Sequence, residues 1–143
     1  MNFKYFDIQH AIEVQDYIIE NSGGRKGILN KGLLDSVLYH VQNDLYYPTL
    51  EDKVCHLFYS INKNHAFSDG NKRSSIVLSA YFLEINGAHF IINRYIQEME
   101  NIAVHVANNK ISKELLQEII CELIYKIEFS ETLRLKIAIA LMK

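Results

Sequence analysis

The sequence predicts a single all-α domain, built as a helical bundle around one buried helix. The stretch from residue 73 to residue 86 is apolar on almost every side of a helix, so other elements must surround it. Elsewhere, apolar residues recur at helical spacing behind capping residues, and no stretch shows the alternation of a strand. With 143 residues, of which 49% are hydrophobic, the chain is long enough to bury its own core.

Two helices are predicted in the first third of the chain. Asp7 is placed to cap the first, which covers residues 7–21 and is broken by the glycine pair at 23–24. Asn30 is placed to cap the second, which ends within residues 44–48. The loop between the two helices is basic and glycine-flanked, as a solvated connection would be.

The third helix and the central helix follow. Thr49 is the predicted cap of the third helix, and Asp52 is placed to complete a capping box. This helix is expected to run to residue 62 or 63. The central helix then covers residues 73–86, and Gly87 stops it because glycine adopts the left-handed conformation without steric cost.

Three further helices are predicted after Gly87. Residues 88–92 are expected to form a short extended link, after which Asn93 caps the fifth helix. Ser112 caps the sixth helix, whose apolar face extends to Ile127, and Ser130 opens a last helix near the C-terminus.

Composition narrows the range of functions. The net charge of −2 argues against nucleic acid as the main partner, because such proteins usually carry a basic face. No apolar run is long enough to span a membrane and the N-terminal segment lacks a signal-peptide pattern, which predicts a cytoplasmic protein. Cys55 and Cys121 occupy apolar-facing helical positions, which predicts buried reduced thiols and no disulfide.

The most informative stretch is residues 64–76, at the start of the central helix. The first backbone N–H groups of a helix lack internal partners and carry partial positive charge. Gly70 lets a ligand approach the backbone closely, while Lys72 and Arg73 add two cations suited to phosphate oxygens. Cations oppose the helix dipole at this end, and a bound anion removes that conflict. The sequence therefore predicts a phosphate-binding turn.

A general base and a metal ligand are predicted just before this turn. His65 can accept a proton near neutral pH, and a carboxylate such as Asp69 beside a phosphate site is a normal ligand for Mg²⁺. Phe67, between them, is the predicted buried anchor of the loop. A zinc pair is the alternative for His65 and Asp69, but no third ligand stands at a useful spacing. The remaining histidines are expected to be structural or exposed.

The run His-Ala-Phe-Ser-Asp-Gly-Asn-Lys-Arg at residues 65–73 resembles the signature of the Fic/Doc superfamily. It is closer to the death-on-curing (Doc) branch of toxins than to the Fic branch. Lys72 stands where Fic proteins have a glycine, and Ile76 stands where they have a second arginine. Gly70 differs from the Doc pattern, since Doc has alanine at that position. The resemblance covers about residues 1–107 and leaves 108–143 as a C-terminal helical extension.

The resemblance implies a Fic/Doc-like fold and a set of roles for the motif. His65 would be the catalytic base, Asp69 would hold Mg²⁺, and the two cations would neutralise charge on the phosphates of ATP. The residues expected to contact phosphate are Gly70, Asn71, Lys72, Arg73 and Ser74. The residues alone leave Asn71 open as a helix cap and Ser74 as a structural residue of the first turn. The basic loop before the second helix would be a flap that aligns a target segment.

The function implied is that of a Doc-like toxin of a toxin–antitoxin module. It would be an ATP-dependent protein transferase that moves the γ-phosphoryl group to a Ser or Thr hydroxyl. Fic relatives transfer AMP instead, and Lys72 without an arginine at position 76 favours phosphoryl transfer. A translation GTPase such as elongation factor Tu is the implied target, and an antitoxin is the implied partner. Neither a membrane nor nucleic acid is expected as a partner, and a homo-oligomer is left open.

A binding module without turnover is the alternative of another class. Such a protein would keep the fold and hold a nucleotide or a partner without chemistry. The intact His65, Asp69 and Arg73 argue against this alternative, because a module without turnover would have no need of a base and a metal ligand.

Overall fold

A computed structural model describes residues 2–143, and Met1, with which the predicted domain begins, lies outside the described residues. The described chain is helical, with one short 3-10 helix (His89–Ile91) and no strand. Its only extended pairing is an isolated antiparallel bridge between Ile28 and Phe67. The α-helices are α1 (Ile8–Ser22), α2 (Lys31–His40), α3 (Leu50–Asn64), α4 (Asn71–Ile85), α5 (Ile92–Ala107), α6 (Lys113–Tyr125) and α7 (Glu131–Leu141). The all-α prediction is confirmed.

Side-chain caps define where five of these helices begin. In each case the capping oxygen accepts the backbone N–H group three residues further along the chain, which satisfies one of the free donors of the first turn. The predicted capping box between Thr49 and Asp52 is present with both of its hydrogen bonds. The five caps are the predicted ones: Asp7, Asn30, Thr49, Ser112 and Ser130.

Helix α4 is the centre of the bundle and packs against α1, α3 and α5. It begins at residue 71, two residues before the predicted start. The helix was predicted to be buried nearly all round; its buried side chains lie on most of its surface, and Val77 is 37% exposed. A buried hydrogen bond of 2.7 Å joins the Ser79 and Tyr95 hydroxyl groups and ties α4 to α5.

The link after α4 differs from the prediction. Residues 89–91 form a 3-10 helix where an extended link was expected. The left-handed Gly87 turns the chain, and the Ala88 N–H group donates to the Leu83 carbonyl, so the chain folds back at once and buries Ile91. Asn93 is not the cap of α5, because that helix continues directly from the 3-10 turn.

Three smaller expectations are also corrected. Helix α2 ends at His40, before the predicted 44–48 segment. Helix α6 ends at Tyr125, and Ile127, predicted to lie on its buried face, is 95% exposed. Both thiols are free, but Cys121 is only half-buried, whereas Cys55 is buried as predicted.

Helix α6 completes the core, although it belongs to the predicted extension. Its apolar face packs against α3, and two polar contacts fix its angle. The Gln117 side chain donates to the Asp52 carboxylate at 2.6 Å, and the Tyr125 hydroxyl donates to the Glu51 carboxylate at 2.8 Å. Among the described residues, no helix is both long and apolar enough to cross a membrane.

Candidate active site

Helix α3 delivers His65 to the mouth of the motif loop. The helix ends at Asn64, and His65 follows in the left-handed conformation, with φ 50° and ψ 46°. This conformation is uncommon for a residue with a side chain and costs about 1–2 kcal/mol. The imidazole is exposed and lines a cavity, where both ring nitrogens are free of partners among the described residues. Strain of this kind is often found at functional sites.

The loop that follows is anchored by Phe67 and Asn71. The Phe67 side chain is buried in the core, as the sequence predicts. The Asn71 amide oxygen accepts the Phe67 N–H group at 3.1 Å, and its amide nitrogen donates to the Phe67 carbonyl at 3.0 Å. The Asn71 side chain therefore closes the loop, and its second N–H group remains available to a ligand in the cavity.

The start of α4 carries a cluster of positive charge. Its N-cap is Gly70, in the left-handed conformation with φ 72°, and no side chain caps the helix. Lys72 and Arg73 extend from the first turn and are exposed, and within residues 2–143 neither forms an ion pair. Free N–H groups, the helix dipole and two cations thus converge on one point, which is the arrangement that binds an anion.

Asp69 stands next to this point and is held in its ionised form. One carboxylate oxygen accepts the Gly70 N–H group at 2.8 Å, and the other accepts the Arg25 N–H group at 3.2 Å. These two bonds lower the pKa of Asp69, and the positive charges of Arg25 and Arg73 add to the effect. Each oxygen keeps a further lone pair, so the carboxylate fits a hard cation such as Mg²⁺ when phosphate supplies other ligands.

These side chains share one cavity of about 290 Å³. It brings together six of the predicted site residues, and it leaves Ser74 outside. The Ser74 side chain is fully buried, and its hydroxyl group contacts the Gly70 carbonyl at 2.8 Å and the Gln15 amide. The cavity is lined by Asn62, His65, Ser68, Asp69, Gly70, Asn71, Lys72, Arg73 and Ala107.

A larger cavity, of about 760 Å³, lies elsewhere and contains no residue of the motif. It is formed by residues 2–4, 48–50 and 84–87 with Tyr125. Size alone would favour it as a ligand site, but its lining contains no histidine and a single basic residue, Lys4. The smaller cavity is the better candidate because a base, a carboxylate and two free cations meet there. Within residues 2–143, no group of three or more His, Cys, Asp or Glu side chains is arranged to hold a metal.

The basic loop before α2 lies directly against the motif loop. The Leu29 and Asn30 N–H groups donate to the Ala66 carbonyl at 2.8 and 3.0 Å, and the Ser68 N–H group donates to the Gly27 carbonyl at 3.0 Å. Gly24 allows the approach, because a Cβ atom there would lie 2.7 Å from the Asp69 carboxylate. The loop is thus exposed to solvent and paired by its backbone with the motif loop.

Several residues at the site escaped the sequence analysis. Gln15 contacts the motif loop from α1, and Asn62 and Ala107 line the cavity from α3 and α5. None belongs to the motif, and each looks like an ordinary helical residue in the sequence. Only the approach of the helices to one another brings them to the site.

Comparison with known proteins identifies a family that this chain matches. The family model described as the Fic/DOC family matches residues 5–83, which include the whole motif loop and most of α4. The chain is also 35% identical over 89 residues to the protein named Toxin Doc from Mycolicibacterium smegmatis. That match covers 59% of this chain and 68% of the relative.

Proposed function

The chain belongs to the Fic/DOC family, and we propose that it is a Doc-like toxin of a toxin–antitoxin module. Members of this family transfer a nucleotide or a phosphoryl group to proteins. The specific reaction proposed is transfer of the γ-phosphoryl group of Mg-ATP to a Ser or Thr hydroxyl group of a target protein. A translation GTPase such as elongation factor Tu is the proposed target, in the cytoplasm, and a separate antitoxin is the proposed partner.

One observation carries the proposal: α4 begins with free N–H groups and two unpaired cations, on the same cavity as His65 and Asp69. A helix start of this composition is unfavourable in the absence of an anion. The polyphosphate of ATP is an anion that would bind to the backbone of residues 71–73 and to the Lys72 and Arg73 side chains. Their charge would also neutralise the transferring group, which is the main requirement of phosphoryl transfer.

His65 is the proposed general base. Its imidazole is exposed, and it would take the proton from the attacking hydroxyl group of the target. The hydroxyl oxygen forms a bond to the γ-phosphorus while the bond from that phosphorus to the bridging oxygen breaks, and ADP leaves. Asp69 is the proposed ligand of Mg²⁺, which would supply charge stabilisation at the phosphates.

The γ-phosphoryl outcome is supported by position 72. The resemblance to the Doc branch depends on a lysine where Fic proteins have glycine, and Lys72 is exposed on the cavity. The proposed flap, residues 25–31, is paired by its backbone to the motif loop and would align the target segment beside His65.

The experiment that tests the proposal is label transfer in a cell lysate with Mg²⁺ present. Parallel samples receive ATP labelled at either the γ- or the α-phosphate. The expected result is label from the γ-phosphate alone on a protein band, which then identifies the target. Label from the α-phosphate would indicate AMP transfer and contradict phosphoryl transfer. ATP that binds without transferring either label would favour a binding module.

Histidine variants complete the experiment. We expect His65→Ala to reduce transfer by about 10²–10⁴-fold while ATP binding is retained, because only the base is removed. The matched control is His89→Ala, since His89 is an exposed histidine in the 3-10 helix after α4. Transfer that survives in His65→Ala at the level of the control would show that His65 is not the base.

A further inference from the structure

We propose that Gln15 is a positioning residue for the candidate active site, and that it makes α1 a working part of that site. Gln15 lies 54 residues before Asp69 in the chain, outside the motif. It reaches the motif loop only through the packing of α1 against α4. The inference rests on the proposed function, because the groups that Gln15 holds are those assigned to the phosphates and to Mg²⁺.

The Gln15 amide is buried and both of its ends are bonded. The side chain is 1% exposed. Its amide nitrogen donates to the Asp69 carbonyl, and its amide oxygen accepts a hydrogen bond from the Ser74 hydroxyl. The orientation of the Gln15 amide is fixed by the first of these contacts. The Asp69 carbonyl can only accept a hydrogen bond, so it must face the nitrogen end of the amide.

The two contacts lie on either side of the bend at Gly70. The Asp69 carbonyl immediately precedes Gly70, and Ser74 lies in the first turn of α4, where its hydroxyl also contacts the Gly70 carbonyl. Gln15 therefore joins the end of the loop to the beginning of the helix. This connection fixes the direction of the free N–H groups and of the backbone that carries the Asp69 carboxylate.

Helix α1 also restricts the space around Gly70. A Cβ atom on Gly70 would lie 3.1 Å from the Gln15 amide nitrogen and 3.2 Å from the Ile19 side chain. Gln15 and Ile19 are four residues apart, so they lie on the same face of α1. Together they form a surface against which the left-handed bend at Gly70 rests.

An amide at this position serves the two polar groups on either side of the bend. Burial of an amide is unfavourable unless its donor and its acceptor are both satisfied, and an apolar side chain of similar size would pack without that requirement. The amide does what an apolar residue cannot: it sets the geometry of two polar groups beside the anion site. In metal sites, the hydrogen-bonding partners that orient a ligating side chain typically change metal affinity or activity by about 10–100-fold when they are lost.

The test compares Gln15→Met with Gln9→Met. Methionine keeps the size of the side chain and removes both hydrogen bonds. Gln9 is the matched control, because it lies on the same helix but is exposed and contacts only Glu13. Three quantities are measured for each variant: amide hydrogen exchange of residues 69–74 without nucleotide, the Kd for Mg-ATP well below the unfolding temperature, and the unfolding temperature itself.

We expect Gln15→Met to raise the exchange rates of the Gly70 and Ser74 N–H groups, which donate to the Asp69 carboxylate and to the Gly70 carbonyl. It should also weaken Mg-ATP binding about tenfold or more, while exchange in α5 and α6 is unchanged. Gln9→Met should match the wild type in all three measurements. A uniform rise in exchange over all helices with an unchanged Kd would overturn the proposal, because Gln15 would then stabilise the whole fold without positioning the site. Exchange and Kd equal to those of the control would overturn it as well.

A second variant keeps the test informative if Gln15→Met fails to fold. Ser74→Ala removes one of the two contacts and should change exchange and Kd in the same direction by a smaller factor. If wild-type protein fails to bind Mg-ATP, the proposed function fails. The exchange measurement then decides alone whether Gln15 positions the loop, with unchanged exchange at residues 69–74 as the result against it.

Discussion

Helices α3 and α4 are neighbours in the bundle, and they begin in opposite ways. The first turn of α3 has a complete capping box from Thr49 and Asp52, and Glu51 and Asp52 place negative charge against its dipole. The first turn of α4 has no side-chain cap, and Lys72 and Arg73 place positive charge at the same end of its dipole. The cap and the charges at the start of α3 stabilise that helix, whereas the start of α4 has no cap and carries charges that oppose the dipole.

The start of α3 contributes to the stability of the fold, whereas the start of α4 is suited to binding a ligand. The start of α3 is stable without any other molecule. The start of α4 leaves its donors and cations available, and the molecule tolerates this because the rest of α4 is buried against three other helices. A change at the start of α3 should therefore mainly alter stability, and a change at the start of α4 should mainly alter function.

The largest expected effect comes from the α4 side of this comparison. Arg73→Gln should reduce phosphoryl transfer by about 10²–10³-fold, because a charge placed to stabilise the transferring group is lost. The free energy of unfolding should stay the same or rise slightly, since a cation is removed from a helix N-terminus. Arg134→Gln is the control, at an exposed arginine on α7. Equal transfer by the two variants, or a clear loss of stability in Arg73→Gln, would contradict the comparison.

The second-largest effect is a loss of stability at low pH, and its source is a histidine in the interior of α3. Burial lowers the pKa of His56 to about 4, although its hydrogen bond to the Val37 carbonyl opposes the shift. In the unfolded chain the same histidine takes up a proton below about pH 6.5. Stability should therefore be full above pH 6.5 and should fall by about 3 kcal/mol as the pH drops to 4.

Urea unfolding between pH 7.5 and 4 measures this loss in the wild type and in His56→Gln. Glutamine can still donate to the Val37 carbonyl and does not titrate, so the variant should lose less stability over the same range. The same pH dependence in both proteins would show that His56 is not the source. Such a result would remove α3 as the pH-sensitive part of the fold.

The smallest effect is expected at the cap of α3. Thr49→Ala should lower the free energy of unfolding by about 1 kcal/mol, because the hydroxyl group that accepts the Asp52 N–H is lost, whereas the backbone N–H of residue 49 can still donate to the Asp52 carboxylate. The Kd for Mg-ATP should not change. Ser36→Ala, at an exposed position in α2, serves as the control and should change stability by less than about 0.5 kcal/mol. A change in Kd for Thr49→Ala would mean that the two helix starts are coupled.

The sequence analysis succeeded where the signal is local. Capping residues act on N–H groups three positions away, so Asp7, Asn30 and Thr49 could be recognised from spacing alone. It failed at residues 88–92, because an apolar segment of that length fits a strand, a link or a short helix equally well. Gly87 decided the outcome by turning the chain back onto α4.

The motif itself could be predicted, but the use of each side chain could not. Spacing placed His65, Asp69, Lys72 and Arg73 near one another, since they lie on one loop and the helix turn that follows it. It could not show that the Asn71 amide forms two hydrogen bonds with the Phe67 backbone, because these bonds depend on the three-dimensional path of the loop.

The sequence by itself determined the all-α class, the positions of the caps and the chemistry that gathers at the start of α4. These follow from contacts over a few residues, where propensity and spacing act directly. Only the tertiary structure decided that α1 brings Gln15 to the Asp69 carbonyl, and that the loop before α2 pairs with the motif loop. Both contacts join residues far apart in the chain, and their geometry is set by how the helices pack around α4, which no local pattern records.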